Sequence, residues 1–497
     1  MPTNNTSNDF QLWFGGAGGG EALVYVSGDA AVGGGNTAVA LTYILQGDPN
    51  LFAPRDIMLD TVHDKFFFVD SDISGGHNRI YQGSISQVLA NPGSPALTIL
   101  YQDTGTNANA SLRALYLDPE HSLVYFDHGT TFDKINYNTA LQTPTVLANL
   151  GANNFITQIA IDFASGDVWL ASSRVASFFG QDIVEDNFIY HASGLTPASV
   201  SLAFTKLAFS PNDTAFGDPD VPPVPGNAFP QELGVIRGLD YDPVTHKLYI
   251  STATVTLDTS TDQDGSEFTT YYGGVFSYQT TGNPSGAYTT IYQQDGTSGP
   301  IGLLGFIEVD PGTGRYFVVD TTGGPPNGDG GVYVGSLSGG TPTLFATIGN
   351  PGNLVPQGID ILHAPTLAGA ETGATTTETA GVGSGFSNQA QPFASITASD
   401  LDSAAFTDQL AGAQVRISAG FNSAPGSSER LTIGGTTSGT LGSGISYSYN
   451  SLTGVMTLTG INSFDNYEAA LQLVSYSIDG DDPDANGTAP TRTISFS

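Results

Sequence analysis

The sequence predicts an all-β protein in two parts: a β-propeller of six blades, with seven left open, followed by a β-sandwich. Three observations predict it. Only 12% of the 497 residues are charged, while glycine alone numbers 63. That balance suits many short strands and tight turns, since helices draw on Glu, Lys, Ala and Leu. One pattern also returns along residues 57–362, and a different, cleanly alternating texture follows residue 391.

The repeat consists of an apolar strand, an aspartate, a short polar turn and a second apolar strand with aromatics. It runs over Ile57–Asp70, Leu115–Asp127, Ile159–Leu170, Leu239–Ile250 and Ile307–Asp320, with a half-copy from Gln357 to Pro365. Its anchors are Asp60, Asp118, Asp162, Asp242, Asp310 and Leu362. Aspartate suits the turn because it accepts backbone N–H groups, and the proline that often follows presets φ. Each copy reads as a hairpin within a four-stranded unit that cannot bury both faces alone, and radial stacking solves that. The last anchor has an inner strand with almost nothing after it. Ala22–Ser27 and Thr37–Leu45 supply the missing strands, so the ring is expected to close between its two ends. A degenerate unit at Ser201–Phe209 is what keeps a seventh blade open. The expected layout is a flexible segment over 1–21, the ring over 22–365, a Gly/Thr/Ala-rich tether over 366–390 and the sandwich over 391–497. The glycine run Gly15–Gly20 lacks a following Lys-Ser/Thr and a helix, so it reads as flexible chain rather than a phosphate cradle.

These copies resemble six-bladed propellers of the NHL-repeat, YWTD and gluconolactonase-like kinds. The resemblance spans about two-thirds of the chain and implies a fold only, since such rings host hydrolases, lactonases, receptors and inert scaffolds.

Five residues before each anchor stand Arg55, Arg113, Thr157, Arg237, Gly305 and Gln357, so three of the chain's nine arginines share one register position. In a propeller that position opens the innermost strand beside the central channel. Two readings are open. Each arginine could be a strut paired with a carboxylate such as Asp56, Asp240 or Asp360. Alternatively Arg55, Arg113 and Arg237, with Gln357, form a mouth for an anion or carboxylate. Lactonase-type rings hold a catalytic metal with several channel carboxylates, whereas the equivalent positions here are basic or neutral and Glu308 is the one acidic residue near an inner-strand start. His63, His121 and His246 fall in hairpin turns and are expected to face solvent. No H-E-x-x-H, G-x-S-x-G or P-loop pattern occurs. No catalytic residue is therefore assigned and no enzyme is expected.

Past residue 391, strands are predicted at Gln414–Ser418, Arg430–Ile433, Ile445–Tyr449, Val455–Thr459 and Leu473–Ser477. The ordered motifs Ser399–Ser403, Leu410–Ser418, Gly454–Gly460, Tyr467–Tyr476 and Arg492–Phe496 resemble the cadherin-like repeats of large bacterial adhesins and RTX-type exoproteins. That resemblance implies an Ig/cadherin-like β-sandwich lacking its last strand, calcium, tandem modules beyond this sequence, and a terminal strand past Ser497. Asp482, Asp484, Asn486 and Gly487 match the first half of a D-x-[DN]-x-[DN]-G calcium loop. Thr493 stands where its closing acid belongs, so Asp400 and Asp402 are the candidates to complete it. The loop Asp262, Asp264 and Glu267 is a weaker candidate of the same kind.

The 47 acidic against 13 basic residues, a formal charge of −34, exclude nucleic acid and disfavour anionic membranes as partners. No run is long and apolar enough to span a bilayer. Without cysteine, ions and packing must supply what disulfides give other secreted proteins. No classical signal peptide is visible, and the composition resembles bacterial proteins exported by an uncleaved C-terminal signal. The expected function is a non-enzymatic, secreted or cell-surface adhesion protein. The propeller would be its binding head for a surface or matrix protein or a glycan, and the sandwich its stalk. The alternatives are a propeller hydrolase or lactonase displayed on a stalk, and a small-anion binding head.

Overall fold

The computed structural model describes residues 9–17, 22–29, 42–46, 51–61, 63–72, 77–93, 95–103, 112–152, 154–178, 181–207, 235–253, 256–258, 268–270, 273–281, 288–294, 301, 304–320, 331–347, 355–363, 366–368, 389–390, 396–399, 409–421, 429–477 and 492–496. The chain forms two compact units, Phe10–Leu362 and one holding Met1–Asp9 with His363–Ser497.

In the first unit the described strands form six four-stranded sheets and one two-stranded sheet, Thr256–Asp258 with Phe268–Thr270. Blades 1 to 5 start with the inner strands Pro54–Asp60, Leu115–Asp118, Asn154–Asp162, Val235–Asp242 and Leu304–Asp310, and each adds three strands outward in chain order. Blade 6 takes its inner strand, Val355–His363, from the far end of the unit. Its outer three, Asp9–Ala17, Ala22–Asp29 and Thr42–Gln46, come from the start of the chain. The expected closure is therefore present, with one difference. Asp9–Ala17, placed in a flexible segment by its glycines, is the second strand of that blade and buries Leu12, Trp13 and Phe14. Gly15 is in this strand because a Cβ there would come within 2.4 Å of the Arg55 carbonyl oxygen. The segment around Ser201 makes no seventh blade among the described residues, for Thr205–Lys206 pairs with Tyr190 and His191 as the outer strand of blade 3.

Each junction between neighbouring blades holds its own apolar core, and there are six of them. The run Phe66–Val69 shows how the strand period makes this work. Phe66 and Phe68 pack toward blade 6 with Trp13 and Leu23, while Phe67 and Val69 pack toward blade 2 with Val124 and Phe126. A strand buried on both faces must be apolar at every position, which is why the second strand of each repeat reads as a continuous apolar run. The core between blades 5 and 6 joins Phe317 and Val319 to Leu12 and Phe14 and completes the circle.

The anchoring aspartates tie their turns. Asp60 and Asp118 accept the N–H groups of His63 and His121, at 3.0 and 3.1 Å, and also meet the Nδ1 atoms of those rings. Ser165, Thr245 and Thr313 stand at the same place, three residues on, and donate their hydroxyls to Asp162, Asp242 and Asp310. One residue later the backbone is left-handed in all five turns, at Asp64, Ser122, Gly166, His246 and Gly314. That conformation costs a side-chain-bearing residue about 1–2 kcal/mol, and the carboxylate bonds hold the turn against it. The histidines thus have turn-closing roles that the sequence reading did not assign.

The second unit contains a three-stranded sheet (Gln389–Ala390, Val474–Ser477, Arg430–Ile433) and a five-stranded one (Ser438–Thr440, Ser446–Asn450, Val455–Ser463, Gln409–Ala419, Thr493–Phe496). Val415, Leu431, Met456, Leu458, Tyr467 and Leu471 share one core between them. The five predicted strands are all there. An unpredicted helix, Phe464–Gln472, starts at Ser463, whose hydroxyl accepts the Asn466 N–H, and it buries Tyr467, Ala470 and Leu471. Beside the core, buried Glu429 accepts a hydrogen bond from Tyr476 (2.9 Å) and another from Arg492 Nε. Two pieces of the expected tether are paired within this unit: Thr366–Ala368 with Thr397–Ser399, and Gln389–Ala390 with Tyr476 and Ser477.

Candidate functional site

The register position that carries the arginines is a break in the sheet ladder. In blade 1, pairing passes from Pro54 to Ile57 and leaves Arg55 and Asp56 in a bulge. In blades 3 and 4 it skips Thr157 and Arg237, and in blade 5 it skips Gly305 and Phe306. A bulge frees one residue from the ladder and re-aims it, and bulges concentrate where a strand presents a side chain for use. Four of the six inner strands thus offer their residue from the same place.

The residues entering the inner strands of blades 1 and 2 are fixed from behind by aspartates near the ends of the second strands. Asp70 Oδ1 accepts the N–H groups of Phe52 and Ala53, at 3.0 and 2.7 Å. Asp127 Oδ1 accepts those of Arg113 and Ala114, at 2.6 and 2.8 Å. Arg113 also lies 5.7 Å from the centre of the Phe155 ring, a cation–π distance.

The three arginines converge. Burial, then the charges of Arg113 and Arg237, push the Arg55 guanidinium down to about 10, while Asp127 and Asp70 act the other way. Burial lowers Arg113 against the pull of Asp127, and burial plus the charge of Arg113 lowers Arg237. All three stay cationic at neutral pH. Arg55 is half-buried, and its Nε is covered without a hydrogen-bond partner. Arg237 is exposed to solvent although protein crowds it closely enough to shift its titration. Both facts fit a side chain standing inside the ring and reaching water.

The expected struts take another form. Asp56 accepts from Ile57 N–H and, across the blade junction, from Leu115 N–H at 3.1 and 2.8 Å. Asp240 does the same with Tyr241 and Val309, at 2.7 and 2.8 Å. Asp360 does so with Ile361 and Leu59, at 2.7 and 2.6 Å. In each case one oxygen takes the next residue's N–H and the other takes an N–H from the inner strand of the following blade. Main-chain donors thus occupy these carboxylates, which rivet neighbouring blades. A carboxylate in an otherwise apolar strand is the one sequence signal for such a rivet.

Gln357 lies in the inner strand of blade 6. The calcium candidates Asp400, Asp402, Asp482, Asp484 and Asn486 lie outside the described residues, as do Asp262, Asp264 and Glu267. Among the described residues no group of three or more His, Asp or Glu is placed to hold a metal, and no helix is long and apolar enough to cross a membrane.

No protein-family model matches the chain, and no curated protein matches it. Among solved structures it is similar to a chain of a nidogen/laminin complex, at 12% identity and a TM-score of 0.43, over 71% of this chain and 98% of that one. It is also similar to a luciferin-regenerating enzyme (11% identity, TM-score 0.35, 59% of this chain and 75% of that one). A third likeness is to apo AztD from Citrobacter koseri (10%, 0.34, 71% and 98%). At these values they say nothing of ligand or activity, and the six-bladed propeller rests on its sheets and junction cores.

Proposed function

We propose that this chain is a recognition protein rather than an enzyme, with the propeller as a binding head whose arginine mouth receives an anionic group. The observation that carries this reading is the gathering of Arg55, Arg113 and Arg237 at one register position, with Arg55 Nε covered and without a hydrogen-bond partner. Like charges crowded in a half-buried place destabilise the ligand-free fold, and an anion that relieves the crowding binds the folded state selectively. Evolution commonly leaves such uneconomical arrangements at binding sites. An extracellular setting, a cadherin-like carrier module and a surface protein or glycan as the source of the anion belong to the same proposal. They are supported by the composition and by the ordered motifs of residues 399–496.

The sign of one substitution separates a mouth from a set of struts. Arg55→Met removes a crowded cation and leaves an apolar chain of similar length. It is expected to stabilise the anion-free propeller by about 1–2 kcal/mol while removing the extra stabilisation that small anions give the wild type. Thermal melts of both proteins, with and without added anion at fixed ionic strength, read the two effects together. A lower melting point for the variant would make Arg55 a strut and end the recognition reading.

A further inference from the structure

We propose that the mouth is built for a tetrahedral oxyanion, a sulfate or phosphate group, held between Arg55 and Arg237 across the ring axis. This rests on the recognition reading above and adds the shape of what is recognised.

The ring places the two arginines opposite one another. The junction cores join the blades in the order 1 to 6 and back to 1, so blades 1 and 4 are three steps apart in either direction. Arg55 and Arg237 leave these blades from equivalent bulges. They therefore stand on opposite sides of the axis at one register height, and Arg55 senses the charge of Arg237. A planar carboxylate presents both oxygens along one edge and satisfies one guanidinium fork. Two forks facing each other need oxygens on opposite sides of the ligand, which a tetrahedral group supplies.

Charge favours an anion there, since Arg55 senses the charges of both Arg113 and Arg237, and the backbone of Arg113 is held by Asp127. Size follows from the rest of the molecule. With a formal charge of −34, the surface beyond the mouth repels an extended polyanion. The expected ligand is thus one small group, either a free ion or the single charged end of a glycan.

Isothermal titration of the full chain at neutral pH tests this, at ionic strength held constant with chloride. Sodium sulfate, sodium phosphate, sodium acetate, a monosaccharide 6-sulfate and heparin are the titrants. Sulfate and phosphate are expected to bind one to one, with acetate weaker by about tenfold or more and heparin no tighter than sulfate. A free ion binding better than the sugar sulfate marks a small-molecule site, and the reverse marks a glycan end. Arg55→Met and Arg237→Gln should each weaken sulfate by about tenfold or more, whereas unchanged binding by both variants would overturn the site. Acetate matching sulfate overturns the tetrahedral assignment and leaves anion recognition standing. Heparin binding more tightly overturns the small group. Failure of every anion to bind removes the recognition reading itself.

Discussion

Replacing Gly238 with alanine is expected to cost the propeller about 3 kcal/mol, the upper end of what overpacking a tight core costs. Gly238 follows Arg237 in the inner strand of blade 4 and faces the inner strand of blade 5. A Cβ there would stand 2.5 Å from the Ile307 backbone nitrogen and 2.4 Å from Ser251 Oγ. The serine can turn away, but the main chain of Ile307 is tied into the ladder opposite Val318 and cannot. Gly358, after Gln357, holds the equivalent place in blade 6, and a Cβ there would stand 2.5 Å from the Asp56 Cα. Blades widen outward from the axis, so the inner strands must approach more closely than any others, and a missing side chain makes room. Denaturant midpoints of Gly238→Ala and Gly358→Ala, measured beside Gly442→Ala, where an added Cβ meets nothing within 4 Å, check this. Equal midpoints for all three would show that the inner strands have slack.

Asp56→Ala is expected to be at least as damaging. It strands the N–H groups of Ile57 and Leu115 inside the junction of blades 1 and 2, and each buried donor left alone costs about 1–3 kcal/mol. The same carboxylate gives stability a pH dependence. Burial raises Asp56 to about 8, with Asp240 and Asp127 raised to about 7 and about 6 from the same cause. Unfolded, each titrates near the ordinary aspartate value of about 4. Between about pH 4 and pH 8 the folded chain therefore keeps protons that the unfolded chain has lost. Stability falls as pH rises through that window and levels off above it. Asp56→Asn cannot titrate and should flatten the upper part of the slope in a melting series from pH 4 to 9. An unchanged slope would place the titration elsewhere.

Much of the ring could be read from residues, because the repeat is carried by side chains with local jobs. The anchors end strands and bind turns within a few positions, so each copy announces itself. The shared register of Arg55, Arg113 and Arg237 was legible for the same reason. What escaped depends on partners distant in the chain. A bulge is defined only against the strand it faces, so Thr157 and Arg237 look like ordinary strand residues in isolation. The main-chain groups that Asp56, Asp240 and Asp360 bind in the next blade leave no local pattern around those aspartates. Asp9–Ala17 was hidden by Gly15, whose small size serves a close contact rather than a flexible link. The helix at Phe464–Gln472 did leave a trace, since Tyr467, Ala470 and Leu471 follow the three- and four-residue spacing of a helix face.

The closure of blade 6 also sets a timetable. Strands at Asp9–Ala17 and Ala22–Asp29 are synthesised first, yet their inner neighbour, Val355–His363, comes more than 300 residues later. Until it arrives, Leu12 and Phe14 lack the partners Ile359 and Ile361 that share their core. Pairing across such a separation is slow, and apolar surface left waiting is a hazard for aggregation. The last strand therefore acts as a latch that converts an open, sticky chain of blades into a ring. A fragment ending at residue 354 is expected to bind hydrophobic dye and to melt without a sharp transition, and a synthetic peptide spanning residues 355–363 should restore one. Were the fragment to melt cooperatively by itself, the ring would hold without its latch.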